Sequence, residues 1–359
     1  MSDHPLFRRI EKHRRRSGRV EDEFVQRAHG GGGRAMRDLI DDVVISNLGG
    51  PLLEADEDQA RISLAELVAS GDRLAFTTDS YVVTPLEFPG GDIGRLAVNG
   101  TVNDLAVGGA VPRFLSVGLV IEEGLPIATL RRLLKSLGDA AREAGVAVVT
   151  GDTKVVQRGA ADGLFVNTSG IGVIPRGVEL SSKKVRPDDV LLINGFLGDH
   201  GAAILTARGE LRLDNPVPSD CAPLHGLTRA LLDAVEVHAM RDVTRGGLSA
   251  VLNELALASE VGVQVDELAL PVRPEVEGFC EILGLDPVHL ANEGKLVAAV
   301  PADQAQRALD VMRAHPLGRH AAIVARCRAE QPGIVTLRTR FGGERILDML
   351  VGEQLPRIC

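Results

Sequence analysis

Apolar residues recur with helical spacing in some stretches of the chain and form short continuous runs, typical of buried strands, in others. The clearest helix is predicted over residues 127–144, and Gly145 is suited to end it. Further helices are predicted over 36–40, 96–107 and 302–314, and around the apolar face Leu248, Val251, Leu252 and Leu255. Strands are predicted over 74–78, 114–121, 146–149, 190–193 and 296–300. Helices and strands therefore alternate in both halves, which predicts an α/β fold.

Length and turn signals predict the domain organisation. The 359 residues are enough for two domains with full hydrophobic cores. The turn sequence Arg-Pro-Asp-Asp at 186–189 precedes a strand and is expected to separate the two domains. We predict four regions: a disordered basic arm (1–27), an N-terminal domain (28–185), a C-terminal domain (186–349) and a mobile tail (350–359).

Composition narrows the class of function. The net charge of −9 gives no field that would attract nucleic acid, so no nucleic-acid partner is expected. The chain has no long uncharged apolar run, so no membrane span is expected. Its four cysteines show no disulfide or zinc spacing, which favours a reducing, cytoplasmic location. The basic cluster near the N-terminus is interpreted as a solvated arm, with a phosphate- or partner-binding arm as the alternative.

Acidic residues at the predicted ends of elements are the first candidates for chemistry. The sequence has no P-loop GxxxxGK[ST] and no GxGxxG after a strand, so neither of those nucleotide-binding folds is supported. Several aspartates delivered to one cleft would hold Mg²⁺ together with nucleotide phosphates. Each is alternatively a helix cap or a turn former. The candidates are Asp58, Asp79, Asp104, Asp152 and Asp242.

Two glycine-containing loops suit phosphate binding. The segment 241–247 places Arg241, Thr244 and Arg245 before a helix, whose N-terminus attracts anions. The glycine run 30–33 could close over the same phosphates as a lid, or could be a plain flexible linker. Lys154 and Glu293 are candidate proton-handling groups, or else ordinary solvated charges. His200 is interpreted as a turn histidine, with catalysis as the alternative.

The thiol of Cys359 is also the C-terminal residue. Its own α-carboxylate disfavours the thiolate, so the thiol pKa is expected to rise. This argues against an activated nucleophile and favours a sulfur that carries a group on a movable arm. The alternative is a frayed terminus that happens to end in cysteine.

Eight short segments stand in a distinctive order along the chain. They are His-Gly-Gly-Gly-Gly (29–33), Thr-Thr-Asp-Ser-Tyr-Val-Val (77–83), Phe-Pro-Gly-Gly-Asp-Ile-Gly (88–94), Val-Asn-Asp (102–104), Gly-Asp-Thr-Lys (151–154), Arg-Asp-Val-Thr-Arg-Gly-Gly (241–247), Asn-Glu-Gly-Lys (292–295) and the terminal Pro-Arg-Ile-Cys. This series resembles the HypE family of hydrogenase maturation factors, within the AIR synthase-like superfamily. The resemblance runs from about residue 28 to 359, and only the glycine loop departs from it, since many relatives carry a serine there.

The resemblance implies a fold, an activity and partners. The implied fold is two AIR synthase-like α/β domains, with the N-terminal domains of a homodimer pairing into a β-barrel and with a flexible C-terminal tail. The implied activity is ATP-dependent dehydration of a carbamoyl group on the terminal cysteine to a thiocyanate, the source of the cyanide ligand of nickel–iron hydrogenase. The implied cofactors are ATP and Mg²⁺, and the implied partners are the carbamoyltransferase HypF and the HypC–HypD iron scaffold complex.

The resemblance also assigns residues. It implies catalytic roles for Cys359, Glu293 and Lys154. It implies that Mg²⁺ is held by Asp58, Asp79, Asp104, Asp152 and Asp242. It implies that ATP is bound by Gly31, Gly32, Gly33, Asp79, Asn103, Asp152, Arg241, Thr244 and Arg245. Two other functions stay open on the sequence: another AIR synthase-like small-molecule phosphotransferase, and an ATP-regulated carrier without dehydratase chemistry.

Overall fold

The computed structural model describes residues 18–54, 59–209, 216–352, 355 and 357–359. Most of the predicted basic arm, Asp58 and part of the predicted tail lie outside the described residues. Within the described residues, no helix is long and apolar enough to cross a membrane.

A four-stranded sheet forms the centre of the first half of the chain. Its strand order is β1-β6-β4-β5, with β4 and β5 parallel and the other two pairs antiparallel. The short hairpin of β2 and β3 connects β1 to the first long helix. The strands are β1 (Arg73–Tyr81), β2 (Glu87–Phe88), β3 (Gly91–Asp92), β4 (Val111–Glu122), β5 (Ala147–Val156) and β6 (Leu164–Ile174).

Helices cover one face of this sheet. The helices of this half are α1 (Arg34–Leu39), α2 (Ser46–Leu48), α3 (Pro51–Glu54), α4 (Leu64–Val68), α5 (Ile93–Val107) and α6 (Ile127–Glu143), and a π-helical segment, Ile40–Ile45, joins α1 to α2. Alternate strand residues such as Leu115 and Val117 point into the core, where they pack with Leu96, Leu130 and Leu137. The opposite face is left uncovered in the single chain, and Leu74 and Phe76 are exposed there.

A seven-stranded sheet forms the second half, in the order β13-β12-β9-β11-β7-β10-β8. Its strands are β7 (Val190–Ile193), β8 (Ala239–Asp242), β9 (Gly262–Asp266), β10 (Leu296–Val300), β11 (Ala322–Arg328), β12 (Val335–Arg338) and β13 (Glu344–Ile346). Its helices are α7 (Asp199–Ala207), α8 (His225–Ala234), α9 (Gly247–Ser259), α10 (Pro274–Leu283) and α11 (Ala305–Ala314). Separate apolar clusters fill the two faces of the sheet.

The α/β prediction is confirmed, and several elements agree closely with the sequence pattern. Strands 190–193 and 296–300 have the predicted bounds, and the helix predicted over 127–144 ends one residue earlier. Three strands were predicted too short. The strand predicted over 114–121 is β4, which runs from Val111 to Glu122. β1 continues past Asp79 to Tyr81, and β5 continues past Asp152 to Val156, because each polar segment keeps its backbone pairing with the neighbouring strand. These aspartates therefore lie within strands and not in turns.

The end of the predicted mobile tail is docked against the first half of the chain. The Val82 N–H donates to the Cys359 carbonyl oxygen at 3.3 Å, and the Thr84 N–H donates to the Arg357 carbonyl oxygen at 3.1 Å. The side chain of Ile358 is buried in the first hydrophobic core, and Cys359 packs beside it. In this arrangement Cys359 is half-buried.

Candidate active site

A cleft of about 160 Å³ lies where the two halves meet, and the terminal cysteine is part of its wall. β1 contributes Asp79 and Tyr81, and α5 contributes Asp104. The second half contributes charged side chains from the end of β8, from the following loop and from the turn before β10. The cleft is lined by Asp79, Ser80, Tyr81, Gly100, Asp104, Arg241, Asp242, Thr244, Arg245, Glu293 and Cys359.

Three of the predicted metal-binding aspartates meet in this cleft. Burial and the neighbouring Asp79 raise the pKa of Asp104, although the Thr77 hydroxyl donates to it at 2.8 Å. Burial and the charge of Asp104 raise the pKa of Asp242 to about 7. Within the described residues, no three acidic, histidine or cysteine side chains are already close enough to hold one ion. Carboxylates that repel one another in a partly buried cleft nevertheless fit a divalent cation, which would relieve that repulsion.

Two arginines reach the cleft, Arg241 from the end of β8 and Arg245 from the following loop. The loop runs from β8 to α9. Its close turn depends on Gly247, which has φ of 65° and whose missing Cβ would lie 2.4 Å from the Val288 carbonyl oxygen. Arg241 is paired with Glu254 at 2.5 Å. The positive charge of Arg245 opposes the upward pKa shifts of Glu293 and Cys359, which places it close to both. The structure places three predicted residues beside the acidic residues of the cleft, namely Arg241, Thr244 and Arg245.

Glu293 is the most deeply buried acid of the cleft, with 3% of its surface exposed. Its Oε1 atom has no hydrogen-bond partner among the described residues. Burial, followed by the charges of Asp220 and Asp242, raises its pKa well above the ordinary value. The surroundings of this carboxyl group therefore favour its neutral form over its ionised form more than water does.

A buried ion pair fixes the turn that carries Glu293. The N–H groups of Glu293 and Gly294 donate to the two carboxylate oxygens of Asp220 at 3.0 and 3.2 Å, and Lys295 Nζ donates to the same carboxylate at 2.8 Å. Burial alone would raise the pKa of Asp220, but Lys295 brings it below the ordinary value. Asp220 thus stays charged and positions the Glu293 backbone. Nothing in the sequence pattern marked Asp220 for this role.

The thiol of Cys359 lies against Glu293. Burial, followed by the charge of Glu293, raises the thiol pKa far above its ordinary value. The predicted direction of the pKa shift agrees, but its cause is burial and Glu293 and not the α-carboxylate. The sulfur is therefore protonated and poorly nucleophilic while the tail is docked.

Two predicted residues act differently from expectation. Asn103 was assigned to nucleotide binding, but its amide donates to the carbonyl oxygens of Ala222 and Glu293 and accepts from the Leu224 N–H at 2.7 Å. It therefore ties the loops of the second half to α5. His200 was interpreted as a turn histidine, but it lies buried in α7 and hydrogen-bonds the Ile358 carbonyl oxygen at 2.8 Å. It anchors the docked tail.

The remaining predicted residues lie at the far edge of the first sheet. Lys154 Nζ donates to Asp152 at 2.7 Å, and its side chain is 63% exposed. Both residues point from β5 to the uncovered face, whereas Asp79 points to the helix-covered face three strands away, about 14 Å. Gly31, Gly32 and Gly33 are exposed beside this edge, where Gly30 packs closely on Val155.

The expectation that all five aspartates and a Lys154–Glu293 pair share one cleft is therefore not met within a single chain. Asp152 and Lys154 lie with the glycine loop at the far edge of the first sheet, and these residues are called the edge group below. No hydrogen bond or ion pair joins Lys154 to Glu293 in the described part of the chain. Asp58 lies outside the described residues.

Comparison with known proteins assigns the chain to a family. The AIR synthase related protein N-terminal domain family matches residues 56–174, and the corresponding C-terminal domain family matches residues 186–338. A carbamoyl dehydratase HypE of Rhodobacter capsulatus is 58% identical over 341 residues, which cover 95% of this chain and 99% of that protein. The chain belongs to the HypE family. It is thereby placed in a family of enzymes that function in hydrogenase maturation.

Solved structures of HypE proteins share the fold of this HypE-family chain. A hydrogenase maturation protein HypE in complex with ATP superposes with a TM-score of 0.88 at 47% identity, covering 93% of this chain and 99% of that one. The HypE chain of a HypE–HypF complex gives a TM-score of 0.75 at 44% identity, covering 87% and 99% of the two chains. The predicted two-domain AIR synthase-like fold is confirmed.

Proposed function

We propose that this HypE-family chain uses ATP to dehydrate a carbamoyl group on its own Cys359 sulfur, giving a thiocyanate. The observation that carries the proposal is the placement of the terminal sulfur. Cys359 and the deeply buried Glu293 line one cleft, whose other walls hold three aspartates and two arginines, and the charge of Glu293 raises the thiol pKa. The cleft thus combines a proton acceptor with groups that suit a metal-bound nucleotide, and the ATP complex of a HypE relative supports nucleotide binding here.

The chemistry explains why both kinds of group are needed. Oxide is a very poor leaving group, so the carbamoyl oxygen first takes the γ-phosphoryl group of ATP and one nitrogen proton is lost. The carbon–oxygen bond then breaks, the oxygen leaves as part of inorganic phosphate, and the second nitrogen proton is lost. The net change is S–C(=O)–NH₂ plus ATP to S–C≡N, ADP and phosphate, with no oxidant or reductant.

Asp79, Asp104 and Asp242 are the residues that would hold Mg²⁺ in this cleft. The ion would supply positive charge to neutralise the phosphate oxygens. Arg245 and Arg241 add bidentate donors for the same oxygens. Arg245 also lies near Glu293, so its charge favours the ionised carboxylate that receives a nitrogen proton.

Docking of the tail excludes water from the reacting sulfur. His200 and Arg208 both hydrogen-bond carbonyl oxygens of the last three residues, and the Arg357 guanidinium pairs with Asp162 at 2.6 Å. Ile358 fills a core position. The same arm has to leave the cleft to receive its carbamoyl group and to deliver its product, which a short extended segment held by a few hydrogen bonds permits.

The homodimer is the second part of the proposal. Phe76 is 70% exposed on the uncovered sheet face, and cross-strand register puts Ile171, Phe114 and further apolar or small residues beside it. Lys154 and Asp152 lie on this same face. Pairing of two such faces buries the apolar surface and brings the edge group of one chain toward its partner, which supports a barrel-like dimer.

The remaining predicted partners follow from the proposed reaction. The HypE–HypF complex of a relative supports HypF as the donor of the carbamoyl group. We propose the HypC–HypD iron scaffold as acceptor of the cyanide and the cytoplasm as the location, with nickel–iron hydrogenase as the final recipient.

The proposal is tested by intact mass after carbamoylation. Protein loaded by a carbamoyltransferase is mixed with ATP and Mg²⁺, and the wild type is expected to lose one water, about 18 Da, at Cys359. Glu293→Gln should bind nucleotide and stay carbamoylated, because the amide cannot accept the proton. Cys280→Ala, which removes a buried cysteine outside the cleft, should react like the wild type.

Two outcomes would contradict the proposal. Carbamoylation without any loss of water in the wild type would leave only the carrier alternative. Cys359→Ala protein that produced a free phosphorylated metabolite with undiminished ATP turnover would favour a small-molecule phosphotransferase.

A further inference from the structure

The chain contains one tyrosine, and it lies beside the terminal cysteine. Tyr81 is the last residue of β1, and the N–H of the next residue, Val82, donates to the Cys359 carbonyl oxygen. Both side chains line the cleft, and Tyr81 is only 2% exposed. The phenol therefore reaches the place where a group on the sulfur would sit.

The hydroxyl group of Tyr81 is not explained by packing. Its Oη atom is buried and makes no hydrogen bond within the described residues. The neighbouring Thr101 hydroxyl is itself bonded to the Thr168 hydroxyl at 2.5 Å. An unpaired buried hydroxyl is unfavourable, and a phenylalanine would fill the same volume without it. The hydroxyl is thus expected to serve a ligand.

The backbone makes room for this hydroxyl. A Cβ atom at Gly100 would lie 2.1 Å from Tyr81 Oη, so any other residue at this position of α5 would displace the phenol. Gly100 lines the same cleft. Two separate observations therefore concern the Tyr81 hydroxyl group: Gly100 leaves room for it, and it has no hydrogen-bond partner among the described residues.

A second unpaired oxygen, Glu293 Oε1, is buried in the wall of this cleft. A carbamoyl thioester has two N–H donors and one carbonyl acceptor. Its carbonyl oxygen has to face the aspartates and arginines in order to take a phosphoryl group. The two N–H groups then need two acceptors on the opposite side, and the two unpaired oxygens supply them.

We propose that Tyr81 Oη accepts a hydrogen bond from the carbamoyl nitrogen on Cys359 and, together with Glu293, turns the carbamoyl oxygen toward the nucleotide. This inference rests on the proposed function. The phenol remains neutral and transfers no proton; both nitrogen protons leave by way of Glu293 and the departing phosphate. Hydrogen bonds to both N–H groups also shift electron density to the oxygen, which strengthens it as the nucleophile.

The test is a single turnover of carbamoyl-loaded protein with ATP and Mg²⁺, followed by intact mass. Tyr81→Phe should form thiocyanate about tenfold more slowly, because one hydrogen bond to the carbamoyl nitrogen is lost and the ring is kept. Its nucleotide affinity should be unchanged, and its urea midpoint should be no lower than that of the wild type, because the hydroxyl has no partner among the described residues. The matched control Thr336→Val removes a buried hydroxyl that does not line the cleft and should react at the wild-type rate. Equal rates for Tyr81→Phe and the wild type would overturn the inference but leave the proposed function intact. No thiocyanate from the wild type would overturn both.

A second measurement does not depend on any variant at Tyr81. Because the chain has no tryptophan, its intrinsic fluorescence comes from Tyr81. Carbamoylation of Cys359 should change the emission as the hydroxyl gains a partner, and Cys359→Ala protein treated in the same way should show no change. Emission that stays constant on carbamoylation of the wild type would contradict the contact.

Discussion

Glu293 and Cys359 illustrate how burial sets chemistry at single residues. Burial raises the pKa of the Glu293 carboxyl group and of the Cys359 thiol, and the charge of Glu293 raises the thiol pKa further. The charges of Asp220 and Asp242 add to the rise at Glu293. In the proposed reaction, a bound cation and the positive charge of Arg245 would favour the ionised form of Glu293. The form of Glu293 that accepts a proton would then be present when the cleft holds nucleotide and metal.

Asp242 provides a test of this crowding of acids. Its pKa is raised to about 7, so the folded chain keeps a proton that the unfolded chain releases above about pH 4. Stability of the metal-free protein should therefore fall from pH 4 to pH 7 and then level off. Asp242→Asn removes this effect and should gain on the order of 2 to 4 kcal/mol at pH 8 but little at pH 4, measured by urea unfolding with a chelator present.

Asp303→Asn is the control for this prediction, because Asp303 is exposed in a 3₁₀ turn and should change stability little at either pH. A gain for Asp242→Asn that is the same at pH 4 and pH 8 would show that the native carboxyl group is not held neutral.

At the scale of elements, the cleft is made where β1, α5 and the docked tail segment meet the second sheet. β1 supplies Asp79 on its helix-covered side and backbone N–H groups just past its end for the tail. α5 presents Asp104 to the cleft and Asn103 to the loops of the second half. α7 supplies His200, whose ring spans Ser219 and the Ile358 carbonyl oxygen. The tail is thus held by both halves at once.

His200→Ala tests this anchoring. The variant loses the hydrogen bond to the Ile358 carbonyl oxygen, so the undocked population should rise and the Cys359 thiol should react with a disulfide reagent about tenfold faster. Cys221, Cys280 and Cys327 are buried and should stay unlabelled, which mass mapping of the labelled peptide checks. His320→Ala, which removes an exposed ring stacked on Phe196, should leave the labelling rate unchanged. Wild-type labelling kinetics in His200→Ala would show that the histidine does not hold the tail.

At the scale of the whole molecule, the single chain holds two separated groups of predicted site residues. The aspartates and arginines of the cleft lie on one side of the first sheet, and Asp152, Lys154 and the glycine loop lie at its far edge. A second copy of the chain offers a physical reason for both groups to be part of one site. The two groups can form one site only if the uncovered sheet faces of two chains pair with each other.

Phe76→Asp tests that dependence. A carboxylate on the apolar sheet face that the proposed dimer would bury should convert that dimer to a monomer, because burying an unpaired charge is strongly unfavourable. Light scattering after size exclusion measures the mass. Phe341→Asp introduces the same change at a residue that is 91% exposed in the second half, and it should leave the dimer intact. A Phe76→Asp protein that remained dimeric would place the dimer contact elsewhere.

Much of this organisation could be predicted from the sequence. Apolar periodicity predicted the α/β class and the bounds of β7 and β10. Ordered polar motifs identified Glu293, Cys359 and the loop with Arg241 and Arg245.

Other features depend on long-range packing that no local pattern encodes. Asp152 and Asp79 have similar surroundings in sequence, but strand register puts them on opposite faces. Asp220 and Tyr81 matter because a distant turn and the last residue fold against them. Asp220 lies in none of the eight ordered segments, and Tyr81 lies in the segment 77–83, where nothing in the sequence marked its hydroxyl for a role.

The most direct test of the central claim follows the carbamoyl oxygen. Cys359 is loaded with a carbamoyl group labelled with heavy oxygen, ATP and Mg²⁺ are added, and mass spectrometry locates the label after one turnover. If the oxygen is phosphorylated before it leaves, the label should appear in inorganic phosphate, with an unlabelled thiocyanate on Cys359. Label released as water, or label retained on an unchanged carbamoyl group while ATP is consumed, would contradict the account.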